Sequence, residues 1–290
     1  MDPLQFLTTT QLVVVAGKGG VGKTTVTAVL ARAAAARGLR VLAVELDGKP
    51  VLEALLGEYE DAEGVHPAVE CTTVTPMDAL GEYLDAHGLK RVSKRLTSSG
   101  IIDVVATAAP GIDDIVVLGK LKQLERAGLH DVVIVDGPAA GHAITMLLSA
   151  GAMLAAVRGG PIRTQAAEVA EMLADPSRCQ VVLVTLPETT PVNEAIETAY
   201  ALEERIGVHL GPIVVNAVDL ADRLPADAAP AGSAMRAAAE FRNARRALHR
   251  GEVARLADEL ALPQVHLPLV ASAHLDAAAV AALADGLSPT

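Results

Sequence analysis

The sequence predicts an α/β fold built on a doubly wound, mostly parallel sheet with a helical insertion. Two patterns carry that expectation. Short apolar, β-branched runs alternate with longer Ala/Leu-rich stretches of helical spacing along the 290-residue chain. The apolar runs also lack in–out alternation, as expected when helices cover both faces of a parallel sheet. A chain of this length can bury the core of one large α/β domain.

Residues 12–15 form the first predicted strand. In the helix that follows, Val26, Val29, Leu30 and Ala33 share a face, and Gly38 stands where a C-terminal cap is wanted. Residues 41–44 make the second strand and residues 69–74 a weaker one. Residues 76–127 break the rhythm, reading as helix, turn and helix. With no Pro/Ser-rich linker around them, they are expected to be a helical insertion on a single domain spanning 1–290. Further strands are expected at 132–135, 181–184 and 213–215, with a weaker one at 264–267. Between two of these, a helix should begin at Thr190-Pro191 and end at Gly207. Residues 222–232 are the most loop-like stretch.

Composition narrows the function classes. Lys and Arg total 24 against 35 Asp and Glu, a net charge of −11. That balance argues against general nucleic-acid binding or attraction to an anionic membrane. With 2% aromatic residues there is no stacking platform for single strands. Cys71 and Cys179, the two cysteines, cannot build a disulfide framework or a four-thiolate metal site within one chain. The longest nearly apolar run, residues 146–157, is shorter than the roughly 20 residues a membrane helix needs and reads as a buried helix. No basic n-region precedes an apolar stretch at the N-terminus. A cytoplasmic protein that is not integral to a membrane is expected.

The decisive motif follows the first strand: Gly17-Lys18-Gly19-Gly20-Val21-Gly22-Lys23-Thr24-Thr25. Gly17, four residues, then Gly22-Lys23-Thr24 is the spacing of a P-loop. Its glycines let backbone N–H groups turn inward around phosphate oxygens, and the next helix adds its positive dipole end. Lys23 is placed to neutralise β- and γ-phosphates, and the Thr24 hydroxyl to take a Mg²⁺ coordination position.

Lys18 adds a second lysine that an ordinary P-loop does not require. This form resembles that of the dimeric P-loop ATPases, which include MinD/ParA proteins, nitrogenase iron protein and the arsenite-pump/tail-anchored-targeting ATPases. The resemblance implies a lysine at position 18 that reaches the partner subunit's nucleotide. Further segments resemble the last of these families specifically. Residues 133–142, with Asp136-Gly137-Pro138-Ala139-Ala140-Gly141-His142, are similar to its strand-and-switch segment, usually DTAPTGH. Gly137, Ala139 and Ala140 depart from that pattern. Pro110-Gly111-Ile112-Asp113-Asp114 and Leu186-Pro187-Glu188 also match family segments in the right order.

The resemblance implies ATP and Mg²⁺ as cofactors. It implies Asp136 as a Mg²⁺ holder through water, and Asp47 as the group that orients the attacking water, although Gly48-Lys49-Pro50 replaces the usual residues after it. It also implies Asn216 against the adenine edge, with Pro268 and Leu269 on the base's other side. The nucleotide set is therefore Gly17, Lys18, Gly19, Gly20, Val21, Gly22, Lys23, Thr24, Thr25, Asn216, Pro268 and Leu269, and the catalytic set is Asp47, Lys18 and Lys23. Residues 238–243 lack the paired cysteines that hold zinc in eukaryotic tail-anchored-targeting members, and Cys71 and Cys179 read as core residues. The late basic helix, with Arg236, Arg242, Arg245, Arg246, Arg250 and Arg255, reads as a solvated face.

The expected function is a dimeric Mg-ATPase of this type, homodimeric or paired with a related subunit, that couples ATP turnover to a conformational change in an unidentified protein or small-molecule client. Two alternatives stand beside it. One is a MinD/ParA-like positioning ATPase, although residues 271–290 carry no lysine or arginine for a lipid-binding helix. The other is a weakly active subunit of a heterodimeric ATPase.

Overall fold

The computed structural model describes residues 2–46, 50–57, 69–88, 111–272 and 274–287. Among them, seven strands form one parallel sheet: β1 (Leu12–Gly17), β2 (Val41–Glu45), β3 (Val69–Thr73), β4 (Val132–Ala139), β5 (Cys179–Thr185), β6 (Ile213–Val218) and β7 (Gln264–Pro268). Their order is β3-β2-β4-β1-β5-β6-β7. After β1 the chain first builds one side of the sheet and then crosses to the other. The loop after β1 therefore opens at the point where strand order reverses, where open α/β sheets bind ligands.

Because successive side chains on a strand point to opposite faces, each strand feeds two cores. Leu12, Val14 and Ala16 of β1 join one, with Val133 and Val135 of β4. Val13 and Val15 join the other, with Val132 and Ile134. The second face is covered by α1 (Phe6–Thr9), α2 (Lys23–Ala35), α3 (Val51–Leu56) and α10 (Ala277–Asp285). The first is covered by α4 (Pro76–Ala86), α5 (Ile112–Arg126), α6 (Ala140–Ala156), α7 (Pro161–Ala174), α8 (Thr189–Ile206) and the end of α9 (Ala234–Glu259).

Several local expectations shift. The described parts of 76–127 are α4 and α5, and α5 buries Ile115, Leu118 and Leu121 completely in the core. Its apolar face is thus built into the helical layer; residues 89–110 lie outside the described residues. Helix α8 starts at Thr189, with Glu188 as its cap residue, two residues before the predicted cap Thr190 and first helical residue Pro191, and is capped by Gly207 in the left-handed conformation (φ 71°). The run 146–157 is not buried all round: Met146, Leu147 and Ala150 are, whereas Gly151, Ala152, Ala155 and Ala156 are exposed. Its alanines and glycine let one face stay wet at little cost. Helix α9 is the opposite extreme, for Leu256 is its single buried residue, close to its C-terminal end.

Candidate functional site

Strand β1 ends at Gly17 and α2 begins at Lys23, so five residues make the loop between them. Gly20 and Gly22 adopt φ of 86° and 90°, the left-handed region that glycine enters without steric cost. Two close approaches exclude a side chain as well. A Cβ at Gly17 would strike the Val184 carbonyl of β5, and one at Gly22 would strike the Asn216 side chain. Gly19 and Gly20 stand exposed at the loop tip, Val21 is buried beneath it, and Thr25 is half-buried in the first turn of α2. That turn presents N–H groups without intrahelical partners, the usual means of holding an anion.

Lys23 Nζ donates to the Lys18 carbonyl at 3.3 Å, arching back over the loop. Thr24 Oγ1 donates to Asp136 Oδ2 at 2.7 Å, and the Thr27 hydroxyl lies 3.4 Å from Asp136 Oδ1. Parallel pairing of β4 with β1 and β2 sets Asp136 beside Val15 and Glu45, which carries its carboxylate to the foot of the loop. Thr24 and Asp136 therefore supply adjacent hard oxygen donors. Among the described residues, no three His, Cys, Asp or Glu side chains converge as a metal site. Such a pair fits Mg²⁺, which keeps several waters and shares phosphate oxygens instead of needing a protein cage.

Lys18 does not stand free on the loop rim. Its Nζ lies 2.5 Å from Glu194 Oε1 on α8 of the same chain, with the two side chains 36% and 39% exposed. Sequence reasoning missed Glu194 and Thr27, since neither belongs to a local motif. Asp47 and Pro110 lie outside the described residues. Two of the family-like segments do meet: His142 Nε2, in the strand-and-switch segment, is 3.4 Å from Asp114 Oδ1. Burial raises the Asp114 carboxyl above its ordinary value, and His142 opposes that shift.

On the other side of the loop, Asn216 Nδ2 donates to the Val21 carbonyl at 2.9 Å, while its Oδ1 accepts from Ala217 N at 2.9 Å. Asn216 thus ties the end of β6 to the glycine loop, leaving one N–H and one lone pair for a ligand. Ala217 itself has φ 55°, an uncommon conformation for a residue with a side chain. Beside it lies a groove of about 300 Å³ between the strand-end loops and α9, lined by Pro187, Ala217, Leu269, Phe241 and His249 among others. Leu269 is exposed there and donates its N–H to Val218 O at 2.9 Å, whereas Pro268 closes β7 without lining the groove.

Ion pairs brace this wall: Arg242 grips Asp219 through two 2.9 Å hydrogen bonds, and Arg245 reaches Glu188 at 3.0 Å. Arg242 also holds the Asp219 carboxyl below its usual value. Burial, reinforced by Arg245, lowers the His249 pKa, and Arg245 Nε donates to His249 Nε2 at 3.2 Å. The basic helix is consequently not a uniformly solvated face.

The cysteines divide. Cys179 is buried, which pushes its thiol up to about 12. Cys71 is only half-buried, against the core reading, and is raised to about 11 by burial and nearby Glu45 and Glu53.

A glycine loop at the reversal point of a parallel sheet, with a lysine over it and a threonine–carboxylate pair at its foot, defines the P-loop nucleotide-binding class. Residues 10–158 match the family model described as Anion-transporting ATPase, and the chain belongs to that family. It is 29% identical over 301 residues to the ATPase BagA of Mycobacterium tuberculosis, covering 90% of this chain and 87% of that protein. It is also 31% identical over 223 residues to an arsenical pump-driving ATPase of Acidiphilium multivorum, and over 222 residues to one of Escherichia coli. Those two alignments cover 73% of this chain but 35% of the pump ATPases. Among the described residues no helix is long and apolar enough to cross a membrane.

Proposed function

We propose that this chain, as one P-loop domain spanning 1–290, binds ATP with Mg²⁺ and hydrolyses it as a dimer, using the cycle to change the conformation of a client. The observation that carries this reading is the 2.7 Å contact between Thr24 and Asp136 at the foot of the glycine loop. Residues implied by two separate motifs there form one pair of oxygen donors. Thr24 and Asp136 would hold Mg²⁺ there, and when bound it would supply charge withdrawal from the phosphates.

The chain's own groups supply the rest. Loop N–H groups and Lys23 hold the phosphates, with Lys23 exchanging the Lys18 carbonyl for phosphate oxygen. Asn216 offers its remaining donor and acceptor to the base, and Leu269 packs near it. Asp47 orients water for in-line attack, while Lys18 supplies positive charge to the partner's site, much as an arginine supplied in trans does. Loss of the γ-phosphate then alters the Asp136–His142 segment, and the His142–Asp114 contact links that segment to α5.

The test is thermal unfolding and phosphate release with and without Mg-ATP. The parent should be stabilised by ATP, by about 3 kcal/mol at a hundredfold excess over Kd. Lys23→Ala should lose that protection. Equal stabilisation of Lys23→Ala and parent would remove the reading.

A further inference from the structure

We propose that the groove between residues 223–227 and the middle of α9, residues 240–250, is a docking site for an acidic peptide segment of a protein partner. The groove has a volume of about 910 Å³ and lies on a different side of α9 from the base-side groove, with Arg246 bordering both.

The argument begins with how α9 uses its arginines. Arg236 pairs with Asp227 and Glu240, Arg242 with Asp219, Arg245 with Glu188, and Arg255 with Glu252 and Glu259. Among the described residues, Arg246 and Arg250 make no ion pair, and neither does Arg223 on the facing loop. All three line this one groove. Its two acids, Asp227 and Glu240, are both engaged by Arg236. Asp219, which feels the Arg246 charge, is already held by both nitrogens of Arg242. Arg246 Nε is buried with no acceptor, a donor left unsatisfied where most buried polar groups find partners. Three uncommitted guanidinium groups in one groove stand against the −11 charge of the whole chain.

The spacing identifies the ligand class. Arg246 and Arg250 are four residues apart on a helix, about 6 Å along its axis. Carboxylates at alternate positions of an extended peptide are about 6.5–7 Å apart. Guanidinium forks match carboxylates well. Leu224, Pro225 and Ala247 offer apolar surface to the small side chain between the acids. A nucleic acid is disfavoured because no aromatic residue lines the groove for a base to stack on.

The proposal is independent of the ATPase reading, and its test keeps them apart. A fluorescein-labelled peptide of alternating glutamate and alanine is titrated with the full chain at low salt and followed by anisotropy. Binding is expected, weakening by at least about fivefold in the Arg223→Gln/Arg250→Gln variant. Those two residues are exposed and outside the base-side groove, so circular dichroism should report an unchanged fold. Lys23→Ala should bind the peptide like the parent, whatever happens to ATP. The proposal is overturned if the parent does not bind by about 1 mM, if the double variant binds equally, or if a lysine–alanine peptide binds as well. Tighter binding of a single-stranded oligonucleotide of equal charge would also overturn it, in favour of a nucleic-acid surface.

Discussion

Lys18 Nζ lies 2.5 Å from Glu194 Oε1, so the loop lysine is held by α8 of its own chain, 176 positions away in sequence. A lysine that serves a partner's nucleotide must leave this carboxylate first. In the proposed dimer, Glu194 would therefore compete with the partner's nucleotide for the Lys18 charge.

Glu194→Gln should make ATP-driven dimerisation easier. With both side chains about one-third exposed, the ion pair is worth no more than about 1 kcal/mol, so the ATP concentration for half-maximal dimer should fall up to about fivefold. Sedimentation across an ATP series measures it. A rise in the required ATP would instead mean that Glu194 positions Lys18 for its task.

Lys18→Ala should retain ATP binding but lose turnover and closure, and Asp47→Asn should bind ATP, close and stall. In mixed dimers, one site then has its own Asp47 and receives Lys18 from the Asp47→Asn subunit. Phosphate release should recover in part, provided that one working site suffices. If labelled subunits exchange and no activity returns, Lys18 acts within its own chain or both sites must fire together.

Gly22→Ala should destabilise the protein by about 1–2 kcal/mol from left-handed backbone strain, and further because its methyl would strike the Asn216 side chain. Adding Asn216→Ala should relieve the collision but not the strain. A double-mutant cycle by urea unfolding should therefore show a favourable coupling between the two positions. Independent, additive losses would mean that the loop and the end of β6 do not press together.

Burial lowers the His266 pKa below its usual 6.5, and burial with Arg245 lowers that of His249. The unfolded chain thus takes up these protons at higher pH than the folded one. Their contribution makes the protein less stable as pH falls through about 6.5, until the folded values are passed. Chemical denaturation between pH 8 and about 5 should show the decline, and His266→Gln should make it shallower. A His266→Gln profile parallel to the parent's would dismiss His266 as a contributor.

The nine residues from Gly17 to Thr25 were sufficient to place a strand end, a phosphate-binding loop and a helix start. The reason is local: glycines fix which backbone conformations are accessible, and β-branched runs against Ala/Leu-rich ones fix element type. The same locality made all seven strands legible, with boundaries shifted by four residues at most. It failed where neighbours matter, as at Cys71, whose edge-side β3 leaves it half-buried, and along residues 151–156, whose apolar letters carry no direction.

By itself, then, the sequence determined the parallel α/β class, the glycine loop and the identities of its lysines, hydroxyls and carboxylates. Tertiary structure decided which of them meet. Thr24 finds Asp136 across 112 positions because β4 inserts beside β1, and His142 finds Asp114 because α5 packs on α6. The pairing of Arg242 and Arg245 on α9 likewise depended on the carboxylates that the loops after β6 and β5 deliver, Asp219 and Glu188. Such contacts follow strand order and register, which a run of residues does not encode, because they arise only when distant segments share one buried sheet.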